Sequence, residues 1–205
     1  MIMESTVPDK FVEIINDTAD KVLNSETASV EWDWSHKLVG KVSKEVQIPV
    51  RDKTNRELLF STMKGACVDY LKEAIKSNTA YGWKKIASDA VPTVDNIHLT
   101  HSWVVSQYAG DFNPIHFHTG DFSAAIYLKV PDNMVDDLDD HAPAKGMIEF
   151  AFGNVDNFRS DSVKFQPEVG KFLVFPAWLK HLVYPFTCEG ERRMMSFNAK
   201  IVFDK

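Results

Sequence analysis

The part of the chain before Pro92 carries the apolar spacing of α-helices. Two sets of apolar residues recur every three or four positions, as the buried face of a helix requires. The sets are Phe11, Ile14, Ile15, Ala19 and Val22, and Leu59, Met63, Ala66, Tyr70 and Ala74. They predict helices over residues 7–23 and 55–77, with an irregular stretch of short extended pieces over residues 24–54.

After Pro92 the spacing changes to the short alternating runs of β-strands, separated by turn sequences such as Thr119-Gly120-Asp121. The predicted strands cover residues 97–108, 114–118, 122–130, 147–152, 162–166, 171–175, 182–186 and 192–203. About eight short strands in succession predict a jelly roll, in which two sheets pack face to face. We therefore expect a mainly β protein with N-terminal helices, one compact domain overall. A helical extension (residues 1–92) would pack on a β core (residues 93–205).

The composition limits the function classes open to this chain. Its formal net charge is −6 and its basic residues are scattered, which argues against a nucleic-acid partner. No apolar stretch approaches the roughly 20 residues that span a bilayer, and residues 1–6 do not resemble the start of a signal peptide. The two cysteines, Cys67 and Cys188, give no disulfide framework. We expect a cytoplasmic protein with reduced thiols and no membrane partner.

Three histidines have the arrangement of a metal site. His116 and His118 are two residues apart on an extended segment, so both side chains point to one face. His181 precedes the penultimate predicted strand, which can lie beside the first pair in a jelly roll. Three imidazole ligands on one face would leave positions for a bidentate co-substrate and dioxygen. Non-haem iron enzymes use two histidines and one carboxylate in this way, so Asp121 is the alternative to His118 as the middle ligand.

Arg192 is the candidate anion-binding residue. It opens the last predicted strand, and alternation places Met194, Ser196 and Asn198 on the same face. A guanidinium group matches a carboxylate with two parallel hydrogen bonds, so Arg192 could hold the far end of a dicarboxylate bound at the metal. Arg193 points to the opposite face and is expected to be a surface charge.

The sequence around these candidates resembles the iron(II)/2-oxoglutarate-dependent oxygenases, in their prolyl-4-hydroxylase-like branch. Residues 108–118 (YAGDFNPIHFH) are similar to the first metal motif of that family, and residues 122–128 to the strand after it. Residues 165–176 resemble the segment before the distal histidine, and residues 181–198 the end of the family's fold. The resemblance covers roughly residues 97–203 and is closest to short members from bacteria and their viruses.

The resemblance implies a double-stranded β-helix, which is a jelly roll, and an iron(II) site within it. His116 matches the first iron ligand of the family and His181 the distal ligand. His118 stands where most members have a carboxylate, although short members often have histidine there. The middle ligand is therefore His118, with Asp121 as its rival.

The resemblance also implies a 2-oxoglutarate site. Arg192 matches the basic residue that pairs with the C5 carboxylate of 2-oxoglutarate. Tyr108 matches, within a one-residue gap, a tyrosine that hydrogen-bonds the same carboxylate. Asn198 and Ser123 are expected to line the pocket.

The implied reaction is the hydroxylation of an unidentified peptide or small molecule. It would consume 2-oxoglutarate and dioxygen, release succinate and carbon dioxide, and use ascorbate as a reductant. Residues 24–53 and 132–145, which are expected to select the substrate, carry no readable motif. Trp32 and Trp34 could form a homodimer interface or pack on the barrel.

Two alternatives to the oxygenase remain open from the sequence. A cupin-like metalloenzyme that does not use 2-oxoglutarate would also place histidines in this way, but its reaction would not require Arg192. A non-enzymatic jelly roll with a binding or structural role would leave the histidines without a function. Metal analysis of the purified protein distinguishes this last class from the other two.

Overall fold

Two antiparallel β-sheets face one another in the computed structural model, and helices cover the outer face of the larger sheet. The structure describes residues 1–35, 40–88, 90–134, 144–153 and 160–203. The mainly β fold with N-terminal helices that the sequence predicts is confirmed.

The helices lie in the first half of the chain, as predicted. They are α1 (Asp9–Leu23), α2 (Glu26–Glu31), α3 (Lys53–Lys76) and α4 (Tyr81–Ala87). α3 begins two residues before the predicted start, because the Asp52 carboxylate accepts a hydrogen bond from the Asn55 backbone N–H at 2.8 Å and caps the helix. No helix in the described residues is long and apolar enough to cross a bilayer.

The described residues contain ten strands. They are β1 (Met3–Thr6), β2 (Lys44–Gln47), β3 (Ile97–Gln107), β4 (Asn113–His116), β5 (Phe122–Lys129), β6 (Ile148–Ala151), β7 (Ser162–Phe165), β8 (Lys171–Pro176), β9 (Lys180–Val183) and β10 (Arg192–Ile201). The larger sheet has the order β1-β8-β5-β10-β3-β2 and the smaller sheet the order β4-β9-β6-β7. The eight strands from β3 onward correspond to the eight predicted from alternation.

The two faces of the larger sheet bury different cores. On β10, Met195 and Phe197 pack with α1 and α3, whereas Met194 points into the space between the sheets. The core between the sheets also holds Tyr127 and Phe150 and lies next to the predicted metal ligands. Alternation along β10 therefore decides which of its side chains can reach the site.

Two strands come from the part of the chain that was expected to be a helical extension. β1 pairs with β8 at one edge of the larger sheet, and β2 pairs with β3 at the other edge. Residues before Pro92 therefore help to build the sheet itself, in addition to the helices that cover it.

Arg193 lies under α1 and is not a surface charge, so that prediction is wrong. Its side chain points away from the space between the sheets, as alternation predicts, but it is buried. The guanidinium group donates to Glu191 Oε1 at 2.7 Å and forms an ion pair with Asp20 of α1 at 2.7 Å. The helix covers this face of the sheet, so the arginine is buried with two carboxylate partners.

Candidate metal centre

The three predicted metal ligands come from neighbouring strands of the smaller sheet. β4 and β9 are antiparallel partners, and their register places His116 directly opposite His181. His118 follows just after β4, where its backbone N–H donates to the Ala177 carbonyl at 2.8 Å. Residues far apart in the sequence therefore meet at one point, as the sequence analysis expected.

The three imidazoles converge closely enough to share one ion. One nitrogen atom from each of His116, His118 and His181 lies within 4.8 Å of the other two. The Nε2 atoms of His118 and His181 are 3.3 Å apart, and the ring centroids of His116 and His181 are 4.3 Å apart. Among the described residues, these three histidines form the one group of side chains with this arrangement.

Backbone hydrogen bonds fix the orientation of two of the rings. Nδ1 of His116 lies 2.7 Å from the Pro114 carbonyl oxygen, and Nδ1 of His181 lies 2.9 Å from the Leu179 carbonyl oxygen. A carbonyl oxygen can only accept, so Nδ1 of each ring carries the proton. The lone pair on each Nε2 is then available for a metal, as in protein metal sites where the second nitrogen is anchored.

Burial keeps the three imidazoles neutral. It lowers the pKa of His181 to about 3 and that of His118 to about 4, and it also lowers the pKa of His116. The His116 ring further disfavours a positive charge on His118 and His181, because like charges repel. The ligands are therefore in the metal-binding protonation state at neutral pH.

Asp121, the alternative middle ligand, lies outside the histidine group. Its Oδ2 atom accepts a hydrogen bond from the backbone N–H of Ile201 at 2.7 Å, and its own N–H donates to Ala199 at 2.9 Å. The side chain thus ties the turn before β5 to the end of β10. The geometry groups His118 with His116 and His181, and it gives the carboxylate of Asp121 a structural partner.

Arg192 is fully buried at the start of β10. Its Nη1 atom donates to Gln107 Oε1 and lies 3.5 Å from Met194 Sδ, while its Cζ atom lies 5.0 Å from the centroid of the Tyr127 ring. Nε and Nη2 have no hydrogen-bond partner among the described residues, and no carboxylate of those residues pairs with the guanidinium. Burial lowers the pKa of Arg192, since it disfavours the charged form.

The other predicted co-substrate residues are placed differently. Tyr108 is 47% exposed, and the charges that act on its hydroxyl include Glu191 and Arg193, on the helix-covered side of the sheet. Ser123 is buried, with its hydroxyl donating to the Phe197 carbonyl at 3.4 Å. Asn198 lines the space beside the histidines, and its Oδ1 atom has no partner in the described part of the chain.

Two residues that adjoin Arg192, Tyr127 and Gln107, were not predicted from the sequence. The hydroxyl of Tyr127 is buried close to the Arg192 guanidinium and has no acceptor for its own proton among the described residues. The Nε2 atom of Gln107 is also buried and has no hydrogen-bond partner among those residues. Burial raises the pKa of Tyr127, so its hydroxyl keeps its proton and can donate. The unsatisfied donors of Arg192, Tyr127 and Gln107 form a site suited to an anion.

A cavity of about 240 Å³ lies against the three histidines, between the two sheets. The smaller sheet contributes the histidine wall, and β3 and β10 contribute Trp103, Met194 and Asn198. Met194 connects the cavity to Arg192, because it lines the cavity and contacts the guanidinium. The arrangement combines three convergent imidazoles, an adjacent cavity and a cluster of unpaired donors around Arg192.

A family model described as putative 2OG-Fe(II) oxygenase matches residues 101–198. The matched segment runs from β3 to β10 and contains the three histidines and Arg192. Over this segment the chain is similar to the iron(II)/2-oxoglutarate oxygenases. The similarity identifies an oxygenase that uses iron(II), 2-oxoglutarate and dioxygen, and it favours this class over the two alternatives. No curated protein matches the chain.

Solved structures, two of them prolyl hydroxylases, share the fold of this oxygenase at low sequence identity. A Pseudomonas putida prolyl-4-hydroxylase is 14% identical with a TM-score of 0.54, and the match covers 97% of this chain and 92% of that chain. The collagen prolyl hydroxylase of Paramecium Bursaria Chlorella virus-1, solved with 2-oxoglutarate, is 12% identical with a TM-score of 0.51, covering 98% and 96%. AviO1 from Streptomyces viridochromogenes is 14% identical with a TM-score of 0.56, covering 97% and 89%. These likenesses establish the double-stranded β-helix fold.

Proposed function

We propose that this oxygenase hydroxylates its substrate at a three-histidine iron centre formed by His116, His118 and His181. The observation that carries the proposal is the convergence of three neutral imidazoles within 4.8 Å beside a cavity, in a chain of this family. Imidazole suits iron(II) as a ligand, and the anchored Nδ1 atoms aim two of the Nε2 lone pairs at the same point. The donor set therefore fits the metal that the family requires.

Arg192 and Tyr127 would hold the distal carboxylate of 2-oxoglutarate. Burial of a guanidinium without an anionic partner costs folding free energy, and two nitrogens of Arg192 have no acceptor among the described residues. A carboxylate would satisfy them and could also accept from the Tyr127 hydroxyl. Met194 now occupies the path from the cavity to this site, and its flexible thioether side chain can adapt to a ligand.

The protein's part in the reaction is to orient the two co-substrates and the substrate. When bound, iron(II) and 2-oxoglutarate supply the chemistry that converts a C–H bond and dioxygen into a hydroxyl group, with release of succinate and carbon dioxide. The three neutral histidines leave the charge of the ion uncompensated, which favours an anionic co-substrate beside it. Phe150 and Phe175 pack against the His181 ring, with centroids 5.5 and 5.0 Å away, and shield it from water.

The test of the proposal is 2-oxoglutarate turnover by purified protein that has been loaded anaerobically with iron(II). We expect slow succinate formation on admission of dioxygen, even without the primary substrate, and none when either iron or 2-oxoglutarate is left out. Isothermal titration with nickel(II), followed by 2-oxoglutarate, measures the two binding steps without turnover. A protein that binds the metal but not 2-oxoglutarate would support the cupin-like alternative. A protein that binds neither would support a non-enzymatic role.

Single alanine variants at His118 and Asp121 distinguish the two candidates for the middle ligand. We expect His118→Ala to lower iron(II) affinity by more than about tenfold, since even second-shell changes cost roughly 10–100-fold. Asp121→Ala should keep the affinity and lose only about 1 kcal/mol of stability with its hydrogen bond to Ile201. Iron titration and thermal unfolding of both variants measure these effects. Weaker iron binding in Asp121→Ala alone would make the carboxylate the ligand.

The remaining features of the proposal follow from the family or stay predictions. We propose ascorbate as the reductant that keeps the iron in its ferrous state. The primary substrate is a peptide or a small molecule, and the prolyl hydroxylase neighbours share the fold without indicating proline here. A cytoplasmic location and a homodimer stay predictions. Trp32 and Trp34, which suggested an interface, both pack against hydrophobic cores within the chain.

A further inference from the structure

A buried glutamate lines the cavity and has no task in the proposed mechanism. Glu45 lies on β2, directly opposite Val105 of β3, so its side chain shares the face of Val105 and points between the sheets. It is 4% exposed and is part of the same cavity wall as Trp103. A carboxylate is rarely buried without a partner.

The segment before β2 is held firmly against the histidine wall. Lys41 forms a β-bridge with Phe112, just before β4. Gly40 approaches that segment so closely that an added Cβ would lie 2.3 Å from the Phe112 carbonyl oxygen. The position of Glu45 relative to β4 is therefore built into the fold.

The surroundings of Glu45 contain aromatic rings and no described cation. Its carboxylate accepts a hydrogen bond from the indole of Trp103, and Asp33 adds repulsion. No lysine or arginine of the described residues forms an ion pair with it. Burial raises the pKa of Glu45 to about 8, with Asp33 as a smaller cause. Such a carboxyl group lacks a positive charge nearby.

The aromatic rings connect this carboxyl group to the metal centre. Trp103 packs on His118 with ring centroids 5.7 Å apart, and Trp34 packs on His101 at 5.6 Å. All four rings line the cavity together with Glu45. Indole faces attract cations through their ring quadrupole, and a carboxylate beside them adds a charge-assisted hydrogen bond.

Two further polar atoms of the cavity wall have no partner. They are Oδ1 of Asn113 and Oδ1 of Asn198, and neither has a hydrogen-bond partner among the described residues. Together with the Glu45 carboxyl group they line the wall with hydrogen-bond acceptors. A ligand that carries several N–H donors would satisfy such a wall.

We propose that Glu45, flanked by Trp34 and Trp103, binds a protonated amine or guanidinium group of the primary substrate. The cation would favour loss of the proton from the buried carboxyl group and would pair with the resulting carboxylate. It would lie against the indole rings, while the rest of the substrate reaches the histidine centre. This inference rests on the proposed function, since it names the substrate class of the same site. A purely structural Glu45 would only orient Trp103 through the indole hydrogen bond.

Charge-matched probe pairs separate these two roles. The cationic probes are Nα-acetyl-lysine N-methylamide and Nα-acetyl-arginine N-methylamide. Their neutral counterparts are the norleucine and citrulline derivatives. Binding is followed on protein loaded with zinc(II) and 2-oxoglutarate by NMR of the tryptophan indole N–H groups, with a Trp103→Phe variant to assign the Trp103 signal. We expect the cationic probes to shift that signal and to bind at least about tenfold more tightly than the neutral ones.

Glu45→Gln keeps an acceptor for the Trp103 indole and removes the charge, so it should lose that tenfold preference while the indole signal stays in place. Glu149→Gln is the matched control, because Glu149 is also buried but lies on β6 with Tyr184 and Lys164 as partners. It should bind the probes like the parent protein. Equal binding of cationic and neutral probes, binding of neither, or an unchanged preference in Glu45→Gln would overturn the inference. Zinc and 2-oxoglutarate titrations on the same samples report separately on the proposed function.

Discussion

Replacement of His181 by alanine is expected to abolish iron-dependent turnover of 2-oxoglutarate. The His181 ring is the most constrained of the three ligands, because Leu179 anchors its Nδ1 atom and Phe150 and Phe175 pack around it. Its loss would leave two imidazoles, and iron(II) affinity should fall by more than about 100-fold, beyond the roughly 10–100-fold cost of a second-shell change. Iron titration and succinate formation measure the two effects.

An exposed histidine provides the control for this variant. His98 lies on β3 and is exposed, so His98→Ala should bind iron and turn over 2-oxoglutarate like the parent protein. Thermal unfolding without metal shows whether His181→Ala still folds, because the change also removes a buried ring. A folded His181→Ala protein that still forms succinate at the parent rate would remove His181 from the metal centre.

The strands of the core could be predicted because they alternate and are separated by clear turns. β1 could not be predicted, and β2 was predicted only as one of the short extended pieces of residues 24–54. β1 has the sequence MEST and β2 has KEVQ, and neither shows an apolar period. Both lie at the edges of the larger sheet, where a short polar strand needs only one neighbour. Their pairing depends on contacts with β8 and β3, which are far away in the sequence.

The convergence of the three histidines was easier to predict than the surroundings of Arg192, because a one-residue shift reverses the face of a strand. The resemblance pointed to Tyr108 within a gap of one residue. The register of β3 and β10 instead places Gln107 opposite Arg192. Tyr127 was hidden for a different reason, since nearly every residue of β5 is buried and the strand shows no alternation.

Buried charges were the least predictable feature. Arg193 and Glu45 are charged residues at strand positions, and statistics favour exposure for both. α1 covers the first, and the second lies in the cavity wall beside Trp103 of β3. Neither environment can be inferred from the local sequence, because each depends on how a distant segment packs on the sheet.

Arg192→Gln is expected to raise the 2-oxoglutarate concentration needed for half-maximal turnover by roughly 10- to 150-fold. The estimate corresponds to the roughly 1.5–3 kcal/mol of a hydrogen bond to a charged group. The effect should appear in the KM for 2-oxoglutarate more than in kcat, because Arg192 lies behind Met194 and away from the histidines. Iron(II) affinity should stay unchanged. Tyr127→Phe should raise the same KM by a smaller factor, since it removes one neutral donor.

Arg193, the next residue along β10, provides a matched control for this prediction. Arg193→Gln removes the same charge one position along β10, but on the opposite face, where Asp20 and Glu191 hold the guanidinium. It should destabilise the protein, because it removes a buried ion pair and leaves Asp20 and Glu191 with Lys129 as their cationic partner, and it should not change the KM for 2-oxoglutarate. If Arg193→Gln raised this KM and Arg192→Gln did not, the anion site would lie on the helix-covered face. The assignment of the site to the face between the sheets, which rests on strand alternation, would then be wrong. If both changes raised it equally, the effect would reflect stability, which thermal unfolding of the two variants measures directly.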